Sequence, residues 1–465
     1  LRKFLIVGVL ILVASVNLPL ASAGESSKST IYSITSTYDV KNLGPSRAEN
    51  VWGRVLLFRD WSGWTDQRIL STNISPKEDR TENYFDGENE MARAFVFLGE
   101  LSSGENRTIT ITQVIEVGAI DMRINPGAVG ATIPPGYENF TKHVDGLWES
   151  GYSPIASKAR ELTDNEPNLY SKVERIIDFV ENYLTYKYQT QEHGARWAWQ
   201  MGEGDCTEYT NLFIALCRAV NIPTKSVTAY GYKDKLAPNM LDMGHAFALV
   251  YLPNFDWVPV DLTWPVKVAS YGKLDYFHIN FSVSGYASPP GVNTTPSVSY
   301  SYTGVKPTWS IRHAGSTIVR EVGVDPSINI GERMQDRNLP LTVTVKNDGR
   351  HAARNLKVEV FGDQKYFEQS EPKSISSLSP GQSQVVGLSI RTTAEAPGVR
   401  ELTARVTYDV EYAGESRAFV AESGQSVIIP KPSRVVEILT ELMPVLLAVV
   451  IALLAVAIAL AVWRR

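Results

Sequence analysis

The sequence predicts a multidomain chain: an α+β core flanked by two β-sandwich domains, with a transmembrane helix at the C-terminal end. Three observations carry that prediction. Residues 28–122 and 316–430 alternate polar and apolar side chains as half-buried strands do, whereas residues 167–220 switch to three- and four-residue apolar spacing. Helices that precede strands, without a repeating strand–helix alternation, indicate α+β and not a doubly wound sheet. Leu442–Trp463 is a run of 22 residues without a charge; at helical rise it reaches about 33 Å, enough to cross a bilayer.

The two ends fit export and anchoring. Arg2 and Lys3 precede an apolar run from Phe4 to Val16, Pro19 breaks it, and Ala21-Ser22-Ala23 supplies small residues, so residues 1–23 are expected to be a signal peptide. Trp463 stands at an interface position and Arg464-Arg465 follow as cytoplasmic flanking cations do. The expected location is the cell membrane, single-pass, with the body of the chain outside. A net charge of −5 offers no basic field for nucleic acid. N-x-S/T sequons at Asn73, Asn106, Asn139, Asn280 and Asn293 suit an exported chain. Nothing in the composition fixes the oligomeric state.

Within the first sandwich, Tyr32, Ile34 and Tyr38 share one parity of a Thr/Ser-rich run that ends in the turn cluster KNLGPS. Arg93–Leu98 and Arg107–Val117 continue the pattern. Residues 123–154 read as a Pro/Gly-rich linker with short helices. The core is expected over 155–285. Pro167 suits a first helical position, and Leu169, Val173, Ile176, Ile177, Val180 and Leu184 make one apolar face. QTQEHGARWAWQMGEG, residues 189–204, reads as a loop. Tyr209, Leu212, Phe213, Leu216, Ala219 and Val220 define the next helix, which Asn221-Ile222-Pro223 stops. Strands follow in SVTAYGY, HAFALVYL and WVPVDL. Residues 286–315, rich in Ser, Pro, Tyr and Thr, read as a linker, and 316–430 as an immunoglobulin-like sandwich.

The chain has two cysteines, Cys206 and Cys217. Exported proteins commonly pair cysteines, but eleven residues on one helix separate these two by about 16 Å along the axis. A disulfide needs Cα atoms within about 7 Å, so helical spacing excludes an intrachain bond. Cys217 lies on the apolar face, where a thiol behaves as a small hydrophobe. Cys206 falls in the first turn, where unsatisfied N–H groups favour a thiolate, while the neighbouring Asp205 disfavours one and is also placed to cap the helix.

A nucleophilic thiol needs a base, and the base needs an orienting partner. Of the six histidines, His245 stands where a strand can best aim it. HAFALVYL and WVPVDL flank the turn signal Pro253-Asn254-Phe255 and are expected to pair as a hairpin. Centred on Pro253, the hairpin sets Asp261 opposite His245; centred on Asn254, it sets Thr263 there and leaves Asp261 a diagonal neighbour on the same face.

GDCTEYTNLFIALCRAVNIPTKSV followed by GHAFALVYLPNFDWVPVDLTW, with DYFHI (Asp275–Ile279) just downstream, resembles the catalytic core of the transglutaminase-like superfamily. The resemblance implies a papain-like α+β fold in which Cys206 is nucleophile, His245 base and Asp261 the orienter of His245. It implies attack on a peptide or carboxamide carbonyl through a thioester, with hydrolysis or amine transfer to follow, and a protein or peptide substrate. Gln200, Trp197 and Trp199 are candidates to join the Cys206 N–H in holding the oxyanion. No cofactor and no metal is expected, since no CxxC or HxxxH accompanies the three residues, although Cys, His and Asp all bind zinc. A catalytically silent core that binds peptide, within a surface spacer or adhesin, is the alternative. A membrane-tethered ectodomain without disulfides fits a prokaryotic, archaeal host. Iodoacetamide at neutral pH is expected to label Cys206 much faster than Cys217, read by mass spectrometry; equal, slow labelling of both would favour the silent module.

Overall fold

Alternating sequences form strands, but strands with one apolar face must find a second layer to cover it. In the computed structural model, which describes residues 28–86, 89–232, 244–264, 271–285, 297–303, 305–331, 337–393 and 395–429, that second layer often comes from far along the chain. The expected signal peptide and the 442–463 span lie outside the described residues. Among the described residues no helix is long and apolar enough to cross a membrane.

The N-terminal sandwich has a four-stranded sheet in the order Trp309–Val322, Ser29–Asn42, Asn106–Gly118, Asp66–Ser75. Its second layer is part of an eight-stranded sheet in the order Asp256–Val260, Gly244–Leu252, Thr224–Gly231, His278–Ser284, Asn89–Leu101, Ala48–Leu57, Ser297–Tyr302, with Glu78–Asp86 paired to Asn89–Leu101. The stretch expected as a linker, 286–315, therefore carries Ser297–Tyr302 and the start of Trp309–Val322. Its Ser/Tyr alternation is strand-like, but both partners lie more than 200 residues upstream, Arg54 facing Ser297 and Tyr38 facing His313. Local composition has no access to such pairings. For the same reason the C-terminal sandwich begins at Val324 and not at 316. Its two sheets run Val324–Ile330, Asn338–Asn347, Ser383–Arg391 and Lys373–Leu378, Ala353–Gly362, Gly398–Tyr412, Glu415–Ile429.

Four helices pack on one side of the core strands: α1 (Ser153–Thr163), α2 (Leu169–Tyr183), α3 (Ala195–Met201) and α4 (Cys206–Ala219). In α2 the apolar face forms as spaced, with Val173, Ile176, Ile177 and Val180 buried against α4 and the sheet. Asn168 caps it, its side chain accepting from the Ser171 N–H, so Pro167 stands before the cap and not inside the helix. The expected loop 189–204 contains α3, a short helix that buries Ala195 and Ala198 and ends at Gly202, whose φ of +66° closes it in the left-handed conformation. That cap was the sequence signal for it.

Where the sandwiches and core meet, Arg320 is buried. Its guanidinium donates to Thr30 Oγ1 at 2.9 Å, to Asp325 at 2.8 Å and to both Asp348 oxygens at 2.9 and 2.7 Å. It lies over the rings of Tyr276 and Phe277. Because breaking a buried pair strands the opposite charge, Arg320→Met is expected to destabilise the chain by about 3–5 kcal/mol, checked by urea unfolding; a midpoint unchanged from wild type would show the cluster to be dispensable.

Candidate active site

Helix α4 begins where two buried carboxylates hold a loop. Asp205 is its N-cap: Oδ1 accepts from the Thr207 N–H at 3.0 Å, and Glu208 Oε2 accepts from the Asp205 N–H at 2.9 Å, completing a capping box. The remaining oxygens reach outward. Asp205 Oδ2 accepts from the Gln189 N–H at 2.9 Å and Glu208 Oε1 from the His193 N–H at 2.8 Å. One turn on, Asn211 donates to Glu192 and to the His193 carbonyl, and accepts from the Trp148 indole. These bonds lay residues 187–205 against the helix start and leave Cys206, the first helical residue, half-buried.

The Cys206 thiol is pushed up to about 12, by burial first and by Asp205 next, against the backbone N–H of Ala246, which donates to the sulfur. Burial and Asp205 both favour the protonated thiol. Cys217 is fully buried and its thiol is also raised by burial.

His245 sits near the start of strand Gly244–Leu252. Ala248 pairs with Val260 and Leu252 with Asp256, so the hairpin is centred on Asn254, whose φ is +74°. That is the second of the two registers considered. The partner strand ends at Val260, and Asp261, diagonal to His245, turns its carboxylate in. His245 Nε2 lies 2.7 Å from Asp261 Oδ2. With Nε2 committed, Nδ1 is the nitrogen available on the other side of the ring.

Asp261 is buried. Its Oδ1 accepts from the N–H groups of Thr263 and Trp264 at 3.0 and 3.2 Å, and its Oδ2 accepts from a second imidazole, His278 Nε2, at 3.0 Å. Burial alone would raise its pKa, but His245 and His278 hold it well below the usual carboxylate range. His278 Nδ1 lies 2.8 Å from Asp275 Oδ1, and Asp275 Oδ2 accepts from the Trp264 indole at 2.7 Å. Burial would lower His278, but Asp275 and Asp261 outweigh it and lift it to about 9.

His245 and His278 come from strands two apart, a spacing of about 9.6 Å between backbones, yet their ring centroids are 5.5 Å apart. The strand between them explains this. Ala229 faces His245 and Gly231 faces His278, and same-parity positions share a face. Small residues there let both rings lean inward. At Gly231 a Cβ would stand 2.5 Å from the Trp264 indole, so glycine also admits the indole that covers both imidazoles, at 4.2 Å from His278 and 5.1 Å from His245. A bulge between Thr228 and Ala229 sets this register.

His245 Nε2, Asp261 Oδ2 and His278 Nε2 lie within 4.8 Å of one another, a spacing that a metal ion would also accept. Each nitrogen, however, is at hydrogen-bond distance from the one oxygen, so protons account for every contact.

The structure brings Cys206, His245 and Asp261 to one place. Sequence reasoning gave no role to His278 and Asp275, although the i, i+3 Asp/His pair in DYFHI marked them. Of the oxyanion candidates, Trp197 stacks on His193 and Trp199 on Tyr183, while Gln200 is exposed. Among the described contacts none brings these side chains to Cys206. Asn280, one of the five sequons, is fully buried and its amide donates to Thr65, so no glycan can occupy it in the folded chain.

The site makes stability depend on pH in two directions. His278, raised from 6.5 to about 9, contributes stability that is whole below about 6.5 and is lost as pH rises through 9. Asp261, depressed from 3.8, contributes stability that is whole above that value and is lost in acid. The denaturant midpoint is therefore expected to be highest between about pH 4 and 6.5 and to fall towards pH 9; His278→Gln should remove the alkaline fall, measured by urea titration at each pH.

Residues 156–262 match the family model of the transglutaminase-like superfamily, and residues 321–423 match the model described as CARDB. Among solved structures, a candidate cysteine protease from Cytophaga hutchinsonii is 17% identical over 63% of this chain and 99% of its own, with a TM-score of 0.41. The transglutaminase of red sea bream is 10% identical over 84% of this chain and 93% of its own, with a TM-score of 0.23. A candidate protease from Parabacteroides distasonis is 11% identical over 73% and 85%, with a TM-score of 0.22. No curated protein matches. The stretch of this chain that is similar to the transglutaminase-like superfamily, residues 156–262, is the one that holds Cys206, His245 and Asp261.

Proposed function

We propose that the chain is a thiol enzyme acting on peptide or carboxamide bonds, with Cys206 as nucleophile, His245 as base and Asp261 as the orienter of His245. One observation carries the reading. The N–H of Ala246, the residue after His245, donates to the Cys206 sulfur, while His245 Nε2 is committed to the buried Asp261. Nδ1 of His245 is then the acceptor left for the thiol proton.

In the first step the Cys206 S–H passes its proton to His245 Nδ1 as sulfur adds to the carbonyl carbon. Asp261 stabilises the imidazolium that forms. Collapse expels the amine, which takes that proton, and leaves a thioester. Asp205 accepts from the Thr207 N–H and its own carbonyl accepts from the Tyr209 N–H. The Cys206 N–H is not consumed by the cap, and it supplies one donor to the oxyanion. Water then adds to the thioester with His245 as base, releasing acid and thiol. Hydrolysis is placed ahead of amine transfer, because water is abundant outside a cell and the described residues present no amine pocket. Exposed Tyr186 and Tyr188 stand at the start of the segment that α4 holds and offer an apolar surface to a peptide. The reading includes the location inferred from the sequence: the cell membrane, anchored by Leu442–Trp463, with the thiol site outside.

The raised Cys206 thiol favours a second reading, a silent module that binds peptide without turning it over. Incubating the chain with a glutamine-containing peptide and an amine donor separates the outcomes by mass. Chain cleavage or deamidation indicates hydrolysis and amine incorporation indicates transfer. Cys206→Ala should abolish either, and His245→Ala should lower kcat/KM by about 10²–10⁴-fold. Turnover that survives Cys206→Ala would remove the thiol mechanism.

A further inference from the structure

We infer that His278 is a positioning residue of the thiol site, clamped with both ring nitrogens protonated between Asp275 and Asp261 so that Asp261 Oδ2 stays where His245 needs it. The inference rests on the reading of Cys206, His245 and Asp261 as a working triad, and concerns two residues, Asp275 and His278, that lie beyond the family match at 156–262.

The argument is one of donors and acceptors. His278 Nδ1 faces Asp275 Oδ1 at 2.8 Å and Nε2 faces Asp261 Oδ2 at 3.0 Å. An ionised carboxylate offers only lone pairs, so both nitrogens must carry protons. A neutral ring would set a lone pair against one carboxylate, and His278 is 0% exposed, with no room for water to intervene. The titratable groups around it are Asp275 just ahead of its own strand, Asp261 beyond strand Asp256–Val260, and His245 across the intervening strand. Two carboxylates against one neighbouring imidazole favour the cation, and the rise to about 9 has that cause.

The clamp has a direct effect on His245. Asp261 Oδ2 accepts from His245 and His278 at 2.7 and 3.0 Å. The His278 ring cannot swing, because Asp275 holds its far nitrogen and the Trp264 indole covers it at 4.2 Å. The oxygen is thereby fixed, and through it the rotation of the His245 ring, whose Nδ1 is the nitrogen left for the thiol in the proposed triad.

The test reads Cys206 alkylation by iodoacetamide, by mass spectrometry, from about pH 6 to pH 9 on the full chain, and needs no substrate. Buried Cys217 is the internal check, since it stays unlabelled while the fold is intact. Asp275→Asn keeps the shape but removes the charge that holds the second proton, so His278 loses that proton at lower pH. The ratio of D275N to wild-type rate constants is expected to be near one at pH 6 and to fall roughly tenfold or more by pH 8.5, by analogy with the loss seen when the outer partner of a metal-bound histidine is removed. A merely structural role would give a ratio flat with pH, and that result overturns the inference. His278→Gln is expected to label Cys206 roughly tenfold more slowly throughout. If Asp275→Asn exposes Cys217, His278→Gln decides, and a wild-type rate with Cys217 protected overturns the inference. His245→Ala separates the two levels. If it labels as fast as wild type, the triad reading fails and takes this inference with it. Slow labelling of His245→Ala beside a flat D275N ratio overturns this inference alone.

Discussion

A carboxylate with no accessible surface is among the costliest groups a fold can carry, and Asp261 is one. Removed from water without partners, such a charge costs several kcal/mol. Asp261 is satisfied from four directions: two backbone N–H groups of the turn that follows it and two imidazoles on separate strands. Meeting that demand requires the end of strand Asp256–Val260, the His245 strand and the His278 strand to converge to within tenths of an ångström. The site is therefore as rigid as the sheet that carries it, and its geometry follows from solvating one buried charge.

The rigidity is shared with the N-terminal sandwich. Strand His278–Ser284 joins the core sheet to that sandwich, through Val283 opposite Glu90. The bulge that sets His278 beside Gly231 leaves backbone groups of Asn280 to be paired, and the Gln67 side chain takes both, its amide donating to the Asn280 carbonyl and accepting from its N–H, each at 2.7 Å. Arg320 presses on Tyr276 and Phe277, the residues that lead into the same strand. What looks in the sequence like a supporting domain thus holds one wall of the thiol site.

Burial and Asp205, the residue that also caps its helix, raise the pKa of the thiol. One carboxylate serves the helix start at the expense of the thiolate. Under the proposed mechanism the proton would move to His245 only as a carbonyl arrives.

Some of this was legible in the residues themselves. The three- and four-residue spacing of Val173, Ile176, Ile177 and Val180 is a local property, and so is the spacing that kept Cys206 and Cys217 from pairing. The hairpin around Asn254 followed from a turn signal between two apolar runs, and it put Asp261 on the face of His245 in the register that forms. Other features depend on partners remote in sequence. Ser297–Tyr302 is a strand because Ala48–Leu57 lies beside it. His278 meets Asp275 from just ahead of its own strand, but it meets Asp261 only because the sheet brings in the residue that follows strand Asp256–Val260. By itself the sequence determined the periodicities, the caps and the order of Cys206, His245 and Asp261, since these arise from interactions within a few residues along the chain. The tertiary structure alone decided the shared sheet, the second imidazole on Asp261 and the raised pKa of Cys206, because burial and charge are set by whatever the rest of the chain brings alongside.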